Sequence, residues 1–362
     1  MDTATPTFRI EHNTNPASAE RVAAVHANPG FGKFFTDHML SITWTAEDGW
    51  HDHRIEPYGP IPMDPATSVL HYAQEIFEGL KAYRHGDGSI WTFRPTANAA
   101  RFNRSATRLA LPNLPETTFV AALEAMVALD QRWVPTGGED SLYLRPFMFG
   151  SEVFLGVRPS AEARFMVIAS PVGPYFSGGV KPVSIWLSSN YTRAAAGGTG
   201  AAKCGGNYAA GLAAQIEASA HGCDQVCFVD AEEHKWVEEL GGMNLYFVRA
   251  NGELVTPPTS GTILEGVTRM SILQLATELG LTPVERPVSI DDWRAGIASG
   301  DIREVFACGT AAVVTPVGRL VWDGGEIGDS TAGEMTMRIR DLLVGVQYGR
   351  KPDTHNWLHR LV

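Results

Sequence analysis

The sequence has few cysteines, no concentrated basic charge and no long apolar run. Its four cysteines, spread over 362 residues, are too few for a disulfide framework, and their one C-x3-C pair has neither zinc nor thioredoxin spacing. No five lysines or arginines are consecutive, and the net charge is −11. No stretch of about 18 apolar residues suggests a membrane span. We therefore expect no nucleic acid, membrane or metal as a partner.

The composition is that of an ordinary globular protein. Hydrophobic residues make up 44% and charged residues 19% of the chain, which is unlike a disordered or fibrous sequence. The first 16 residues have neither a signal-peptide core nor an arginine-rich amphipathic pattern. Together with the low cysteine content, this predicts a cytoplasmic protein in a reducing compartment.

The pattern of elements predicts a mixed α and β fold in two domains. Residues 1–172 form an α+β domain with mainly antiparallel strands, and residues 183–362 form a second mixed domain. Between them, residues 173–182 read GPYFSGGVKP, a glycine- and proline-rich linker. In the first domain we expect helices over 68–77, 95–111 and 116–133 and a hairpin of strands 80–85 and 90–94; in the second, helices from about 208 and over 267–279.

The most informative segment is AAAGGTGAAKCGGNYAAGLAAQI, residues 194–216, in which Lys203 is the only charged residue. A P-loop does not fit, because Ala202 and Cys204 replace the glycine before the lysine and the hydroxyl after it. A dinucleotide loop does not fit either, because Lys203 stands where the third glycine belongs. A lysine in a tight, weakly polar pocket would be a nucleophile toward an aldehyde such as pyridoxal phosphate. A solvated lysine on a flexible loop is the alternative.

A pyridoxal phosphate site also needs groups for its phosphate and ring nitrogen. The run Leu264–Thr268 opens a helix whose N–H groups favour an anion, and Arg101 on a basic helix face could add a cation. Glu238 or Glu239, at a strand end, could meet the ring nitrogen. Since neighbouring strand residues point to opposite faces, we expect Glu238 to be exposed if Glu239 is buried.

Several blocks of the sequence resemble the branched-chain amino acid aminotransferases, which are fold type IV pyridoxal phosphate enzymes with a D-amino acid aminotransferase-like fold. The matching blocks, in the order of that family, include LHYAQEIFEGLKAYR (70–84), FRPTANAARFNRSATRLALP (93–112), LYLRPFMFG (142–150), the K-x-GGNY run at Lys203, EELGGMN (238–244), LEGVTR (264–269) and FACGTAAVVTPV (306–317). The resemblance covers roughly residues 25 to 360. It implies a smaller N-terminal α+β domain and a larger C-terminal α/β-barrel-like domain carrying the lysine.

The resemblance also implies a role for individual residues. Lys203 would bind the cofactor covalently and move a proton between the substrate α-carbon and the cofactor, Tyr208 would meet the phenolic oxygen, and Glu239 the ring nitrogen. The phosphate would be held by Arg101, Val267, Thr268 and Thr310. The substrate pocket would be lined by Phe31, Tyr72, Phe77, Tyr143, Thr310 and Ala311, with Arg145 binding the γ-carboxylate of glutamate. Cys308 is expected to be a buried small apolar residue.

The activity implied is reversible transfer of the amino group of L-leucine, L-isoleucine or L-valine to 2-oxoglutarate, by a homodimer. Three alternatives are a D-amino acid aminotransferase or lyase of the same fold, a non-catalytic binding protein that kept the fold, and a nucleotide-binding protein using the glycine-rich loop. The EGLKAYR run favours the L-branched-chain group over the first of these.

Overall fold

The computed structural model describes residues 6–174 and 179–362. The elements before residue 174 are, in chain order, β1 (Arg9–Ile10), α1 (Ala19–Ala27), β2 (His38–Thr45), β3 (Gly49–Pro57), α2 (Val69–Tyr72), β4 (Glu75–Phe77), β5 (Leu80–Arg84), β6 (Ile90–Phe93), α3 (Pro95–Arg108), α4 (Glu116–Leu129), β7 (Ser141–Gly150) and β8 (Glu162–Val172).

The elements after residue 179 continue the same numbering. They are β9 (Val183–Leu187), α5 (Gly205–Ala210), α6 (Leu212–Ala220), β10 (Gln225–Val229), β11 (Val237–Leu240), β12 (Asn244–Arg249), β13 (Glu253–Thr256), α7 (Val267–Glu278), β14 (Thr282–Glu285), α8 (Ile290–Ser299), β15 (Ile302–Gly309), β16 (Val313–Trp322), β17 (Gly325–Gly328), α9 (Glu334–Gln347) and β18 (Leu358–Arg360).

The described residues divide into two compact units. The first contains residues 6–174, Ala202–Gly205 and Val346–Val362, and the second contains residues 179–201 and Gly206–Gly345. A two-domain division at one linker does not give this grouping. Residues Ala202–Gly205, which include Lys203, and the C-terminal residues Val346–Val362 belong to the first unit. The boundaries 1–172, 173–182 and 183–362 stay a prediction, and residues 175–178 of the linker lie outside the described residues.

The first unit is built on one sheet with strand order β1-β3-β2-β8-β7-β5-β6-β18, to which β4 adds by pairing with β7. Apart from the parallel pair β1 and β3, its pairs are antiparallel, as expected. The predicted hairpin forms between β5 and β6. Helices α3 and α4 contribute Phe102 and Phe119, each 1% exposed, to the same core as Phe165 of β8. This core fixes the strand ends that carry the candidate site residues.

The predicted helix over 68–77 is wrong in its second half. The helix is limited to α2, and Ala73 then adopts a left-handed conformation with φ of 50°. The chain continues as β4, in which Ile76 is fully buried while Glu75 and Phe77 are half-buried. This alternation is the two-residue period of a strand, which the short apolar run concealed.

Two other predicted helices differ in extent. The helix expected over 116–133 ends at Leu129, and a 3-10 turn, Gln131–Trp133, follows it. The helix expected from about Tyr208 is two short helices, α5 and α6, which are separated at Gly211. The helices beginning at Pro95 and Val267 are confirmed, with ends at Arg108 and Glu278.

The second unit contains a mixed sheet with strand order β11-β10-β9-β16-β15-β12-β13-β14, and β17 pairs with β16. The pairs β9/β10, β9/β16 and β13/β14 are parallel. Its core packs Phe247 of β12 against Trp293 of α8, with ring centroids 5.1 Å apart. Across the described parts of the chain, no helix has the length and apolar character needed to cross a membrane.

Candidate active site

Lys203 lies in the first unit on a segment whose backbone is bound on both sides. Its N–H donates to Ser105 Oγ on α3 at 2.9 Å, and its carbonyl accepts from the Phe77 N–H of β4 at 3.0 Å. Its Nζ lies 4.8 Å from the centroid of the Phe77 ring. The flanking Ala202 and Cys204 are 2% and 3% exposed, so small side chains allow the segment to pack closely. Lys203 is therefore a half-buried lysine with a fixed backbone, not a solvated residue of a flexible loop.

Arg101 is the second charged group of this unit that the sequence singles out. It is 4% exposed and its partner Glu78 is fully buried. Arg101 Nε and Nη2 donate to the two carboxylate oxygens of Glu78 at 2.8 and 2.7 Å, and Asn98 Nδ2 donates to Glu78 at 2.8 Å. Although burial acts to raise it, the pKa of Glu78 is lowered by Arg101 and, less strongly, by Lys203 and Asn98. Arg101 is thus held on one edge of its guanidinium.

A cavity of about 240 Å³ lies beside the aromatic residues of the first unit. Its lining is apolar except for a few groups and includes Phe31, Tyr143 and Arg145. The Phe31 and Tyr143 rings meet edge to face at 5.3 Å. The Arg145 guanidinium carbon lies 4.8 Å from the Phe77 centroid, and Arg145 Nη2 donates to Tyr143 Oη at 3.2 Å. These four predicted pocket residues are therefore brought together.

Tyr72 is placed differently from the other predicted pocket aromatics. It is 41% exposed, and its hydroxyl donates to the Leu155 carbonyl in the loop between β7 and β8. It is not among the residues that line the cavity at Phe31 and Tyr143. Within the described part of the first unit, its contacts therefore join it to a loop, not to the other pocket residues.

The second unit carries the predicted partner of the ring nitrogen. Glu239 on β11 is 2% exposed. Its Oε1 lies 3.1 Å from Arg193 Nη1 and accepts the Leu264 N–H at 2.8 Å, while Asn244 Nδ2 donates to Oε2 at 3.4 Å. A cation and two donors at a buried carboxylate stabilise its ionised form. That form is the one needed to hold a proton on a pyridine nitrogen.

The expectation that Glu238 is exposed when Glu239 is buried is wrong. Glu238 is 5% exposed, since all four residues of β11 are buried. Both faces of the strand are covered, so alternation moves the side chain from one buried face to the other. Burial raises the pKa of Glu238, while Thr262 and Arg193 act in the opposite direction.

The N-terminus of α7 has the features of an anion site. Gly266, the residue before the helix, has no side chain to cap it, and Val267 and Thr268 are 5% and 7% exposed. A Cβ at Gly266 would contact Asn244 Oδ1 and lie 3.2 Å from Arg269 Cβ, so the position requires glycine. N–H groups of a first helical turn that lack a side-chain cap suit a phosphate group.

The remaining predicted residues of the second unit lie in turns and a short helix. Tyr208 on α5 is half-buried. Thr310 and Ala311 form part of the turn between β15 and β16 and are half-buried as well. Cys308, at the end of β15, is 1% exposed, and burial raises the pKa of its thiol to about 12. Cys308 is confirmed as a buried apolar residue.

The chemistry of these donors fits a phosphorylated pyridine aldehyde. Taken by itself, each unit provides part of the set: the first a half-buried lysine and an oriented arginine, and the second an ion-paired carboxylate and an uncapped helix N-terminus. An amine, an anion site and a carboxylate are the groups that pyridoxal phosphate requires.

Comparison with known proteins identifies the family. The chain matches the model of the amino-transferase class IV family over residues 75–320. It is 58% identical over 360 residues to a probable branched-chain-amino-acid aminotransferase of Streptomyces coelicolor, covering 99% of both chains. It is 56% identical to the branched-chain-amino-acid aminotransferase of Mycolicibacterium smegmatis, covering 98% of both chains. The chain belongs to the branched-chain aminotransferases of class IV.

Solved structures confirm the fold of this aminotransferase. The branched-chain amino acid aminotransferase of Escherichia coli is 28% identical and superposes with a TM-score of 0.73, covering 89% of this chain and 100% of that one. Another branched-chain amino acid aminotransferase, solved with pyridoxamine 5'-phosphate, is 30% identical with the same TM-score of 0.73, covering 89% of this chain and 99% of that one. The expected family and its mixed α/β fold of type IV are therefore confirmed.

Two supporting residues were missed by the sequence reasoning. Glu78 stands inside the EGLKAYR run used for the resemblance, and Arg193 directly precedes the glycine- and alanine-rich segment. Each is a charged residue beside an apolar stretch, a signal related to the one that drew attention to Lys203. Both turn out to be buried partners of predicted site residues, Arg101 and Glu239.

Proposed function

We propose that this class IV aminotransferase transfers the amino group of L-leucine, L-isoleucine or L-valine to 2-oxoglutarate, with pyridoxal 5'-phosphate bound at Lys203. The observation that carries the proposal is the placement of Lys203, half-buried against Phe77 and bound through its backbone on both sides. Near full-length similarity to branched-chain aminotransferases supports the choice of substrates.

Pyridoxal 5'-phosphate supplies, when bound, an aldehyde that captures amines and a ring that accepts electrons from the substrate α-carbon. Lys203 would hold the cofactor through its Nζ, and the same amine would serve as the general base that moves the proton of the substrate α-carbon. Its backbone hydrogen bonds to Ser105 and Phe77 restrict the positions open to Nζ, as a general base requires.

Other residues of the chain hold the cofactor in this proposal. Glu239, paired with Arg193, would accept a hydrogen bond from the protonated ring nitrogen. Tyr208 binds the phenolic oxygen. Four groups hold the phosphate, namely Arg101, Val267, Thr268 and Thr310.

The substrate side combines an apolar wall with one cation. The residues proposed to contact the branched side chain are Phe31, Phe77, Tyr143, Thr310 and Ala311. Tyr72 is proposed to join them, although within one chain its hydroxyl bonds the Leu155 carbonyl. Burying each methylene of that side chain contributes about 0.8 kcal/mol. Arg145 binds the γ-carboxylate of glutamate, whose burial without a cation would be unfavourable. These residues would serve both substrates in two half-reactions.

The assembly we propose is a homodimer in the cytoplasm. Its support is a set of exposed apolar side chains on α2 and on the loop between β7 and β8: Leu70 is 57%, Val153 58%, Leu155 59% and Val157 86% exposed. Exposed apolar groups of this kind mark contact surfaces between proteins. Four free, buried cysteines agree with a reducing compartment.

Turnover with chosen amino donors tests the proposal. Purified protein with pyridoxal 5'-phosphate and 2-oxoglutarate should form glutamate from L-leucine, L-isoleucine and L-valine, and little from D-alanine. Lys203→Ala should lower kcat by at least about a thousandfold, because it removes the proton-transfer group. Lys181→Ala is the matched control and should retain turnover. Preference for D-alanine, or full turnover by Lys203→Ala, would contradict the proposal.

A further inference from the structure

Glu75 is a half-buried carboxylate that the proposed function does not use. It lies two residues before Phe77 on β4, and both side chains are on the face opposite to the fully buried Ile76. Its Oε1 accepts the N–H of Gly205, two residues after Lys203. A Cβ at Gly205 would collide with this carboxylate, so the contact is a close one.

The charges on this face of β4 are arranged around the Phe77 ring. Lys203 Nζ and the Arg145 guanidinium carbon each lie 4.8 Å from its centroid. Burial raises the pKa of Glu75, and the Gly205 N–H and the charge of Arg145 act in the opposite direction. Glu75 and Arg145 therefore interact electrostatically, although no direct ion pair joins them among the described residues.

The guanidinium of Arg145 is held less tightly by the protein than the guanidinium of Arg101, which makes two short hydrogen bonds to Glu78. Its Nη2 bond to Tyr143 is 3.2 Å long, and its Nε is buried with no hydrogen-bond partner in the described chain. An arginine of this kind, on the wall of a mostly apolar cavity, has capacity for an incoming carboxylate. Glu75 lies on the same face of β4 as the Phe77 ring over which Arg145 lies, so its carboxylate is within electrostatic reach of Arg145.

We propose that Glu75 determines specificity: its negative charge weakens the binding of a second substrate carboxylate at Arg145, and leaves the binding of branched apolar side chains unchanged. The inference rests on the proposed function, in that Arg145 receives the γ-carboxylate of glutamate. Like charges repel, whereas an isobutyl group carries no charge for Glu75 to act on. The residue thereby keeps glutamate and 2-oxoglutarate from outcompeting leucine.

Binding of acids that lack an amino group tests the effect of the Glu75 charge on affinity alone, because these acids bind to the holoenzyme but do not react. Glutarate and 4-methylpentanoate correspond to glutamate and leucine without the amino group, and calorimetry at pH 8 gives their Kd values. Glu75→Gln keeps an oxygen for the Gly205 N–H but removes the charge. We expect it to bind glutarate about three- to thirtyfold more tightly, and 4-methylpentanoate within about twofold of wild type. The KM for L-glutamate should fall by a similar factor, and that for L-leucine should not.

Three further variants test whether the change in glutarate affinity comes from the Glu75 charge. Glu75→Asp keeps the charge and should retain weak glutarate binding. Glu162→Gln removes an exposed charge at the start of β8 and should change neither Kd. Arg145→Gln should weaken glutarate binding at least about tenfold, since it removes a charged hydrogen-bond partner.

Each contrary outcome has its own meaning. Unchanged or weaker glutarate binding by Glu75→Gln, with Arg145→Gln weakened as expected, overturns the role of Glu75 and leaves the proposed function intact. Equal changes for both acids also overturn it, since they indicate a packing effect. Unchanged glutarate binding by Arg145→Gln would show that Arg145 does not bind the second carboxylate, and this result would also overturn the inference. Absence of leucine turnover in the wild type would instead contradict the proposed function.

Discussion

Each compact unit contains a buried Glu–Arg pair. In one pair the arginine is the predicted cofactor ligand, and in the other pair it is the glutamate. In the first unit Arg101 is the predicted ligand and Glu78 supports it, with side chains 4% and 0% exposed. In the second unit Glu239 is the predicted ligand and Arg193 supports it, and each side chain is 3% exposed. One unit thus presents an oriented cation suited to a phosphate, and the other an oriented anion suited to a protonated ring.

The supporting residues of the two pairs differ in how their loss can be compensated. A guanidinium stays charged at any ordinary pH, so Arg101 without Glu78 would remain a buried charge. Glu239 without Arg193 would keep two hydrogen-bond donors, the Leu264 N–H and Asn244 Nδ2. The pair in the first unit should be the more sensitive of the two.

Removing Glu78 has the largest expected effect on stability. Glu78→Ala should lower the free energy of unfolding by about 3–5 kcal/mol, because it leaves the Arg101 charge buried. Urea unfolding of the purified protein measures this loss. The control is Glu326→Ala, whose exposed pair with Arg319 should contribute only about 0–1 kcal/mol. Equal losses for both variants would contradict the distinction between buried and exposed pairs.

Removing Arg193 should cost less. Arg193→Ala should lower the free energy of unfolding by about 2–4 kcal/mol, since it removes the charged partner of Glu239 and the donor to the Thr262 carbonyl. Urea unfolding of this variant beside Glu78→Ala measures the difference. A loss for Arg193→Ala that equals or exceeds the loss for Glu78→Ala would contradict the comparison.

A carboxylate held by neutral donors gives the smallest effect. Asp230 accepts N–H groups of Glu233 at 2.6 Å, Lys235 at 2.9 Å and Trp236 at 2.7 Å. Burial acts to raise its pKa, but these bonds prevail and lower it to about 2. A lowered folded pKa stabilises the fold above the unfolded value, near 4, and this contribution is lost as the pH falls toward about 2.

Asp230→Asn should therefore destabilise the protein by about 1 kcal/mol at pH 7, allowing for solvent screening of a group that is only partly buried. The difference from wild type should shrink from pH 4 to pH 2.5 in thermal unfolding. A constant difference over that range would show that the carboxylate charge is not responsible.

The sequence predicted what depends on local pattern and on recognisable motifs. The strands predicted over 80–85 and 90–94 form the hairpin of β5 and β6, and the helix beginning at Val267 is opened by the LEGVTR block. Lys203 was distinguished by its isolation among small residues. In each case the signal lies within about twenty consecutive residues.

Features that depend on distant contacts were not predictable in this way. The burial of Glu238 arises because neighbouring elements cover both faces of β11. The support of Arg101 by Glu78 joins residues 23 positions apart, and that of Glu239 by Arg193 joins residues still further apart. Periodicity within one element contains no information about either partner.

Mapping the covalent attachment of the cofactor tests the central claim most directly. The holoenzyme is reduced with borohydride and digested, and the peptides are examined for the added pyridoxyl mass. The account predicts that the label is on Lys203, in the peptide that contains KCGGNY, and that Lys203→Ala carries none. A label on another lysine, or no label in a protein that still converts L-leucine, would contradict it.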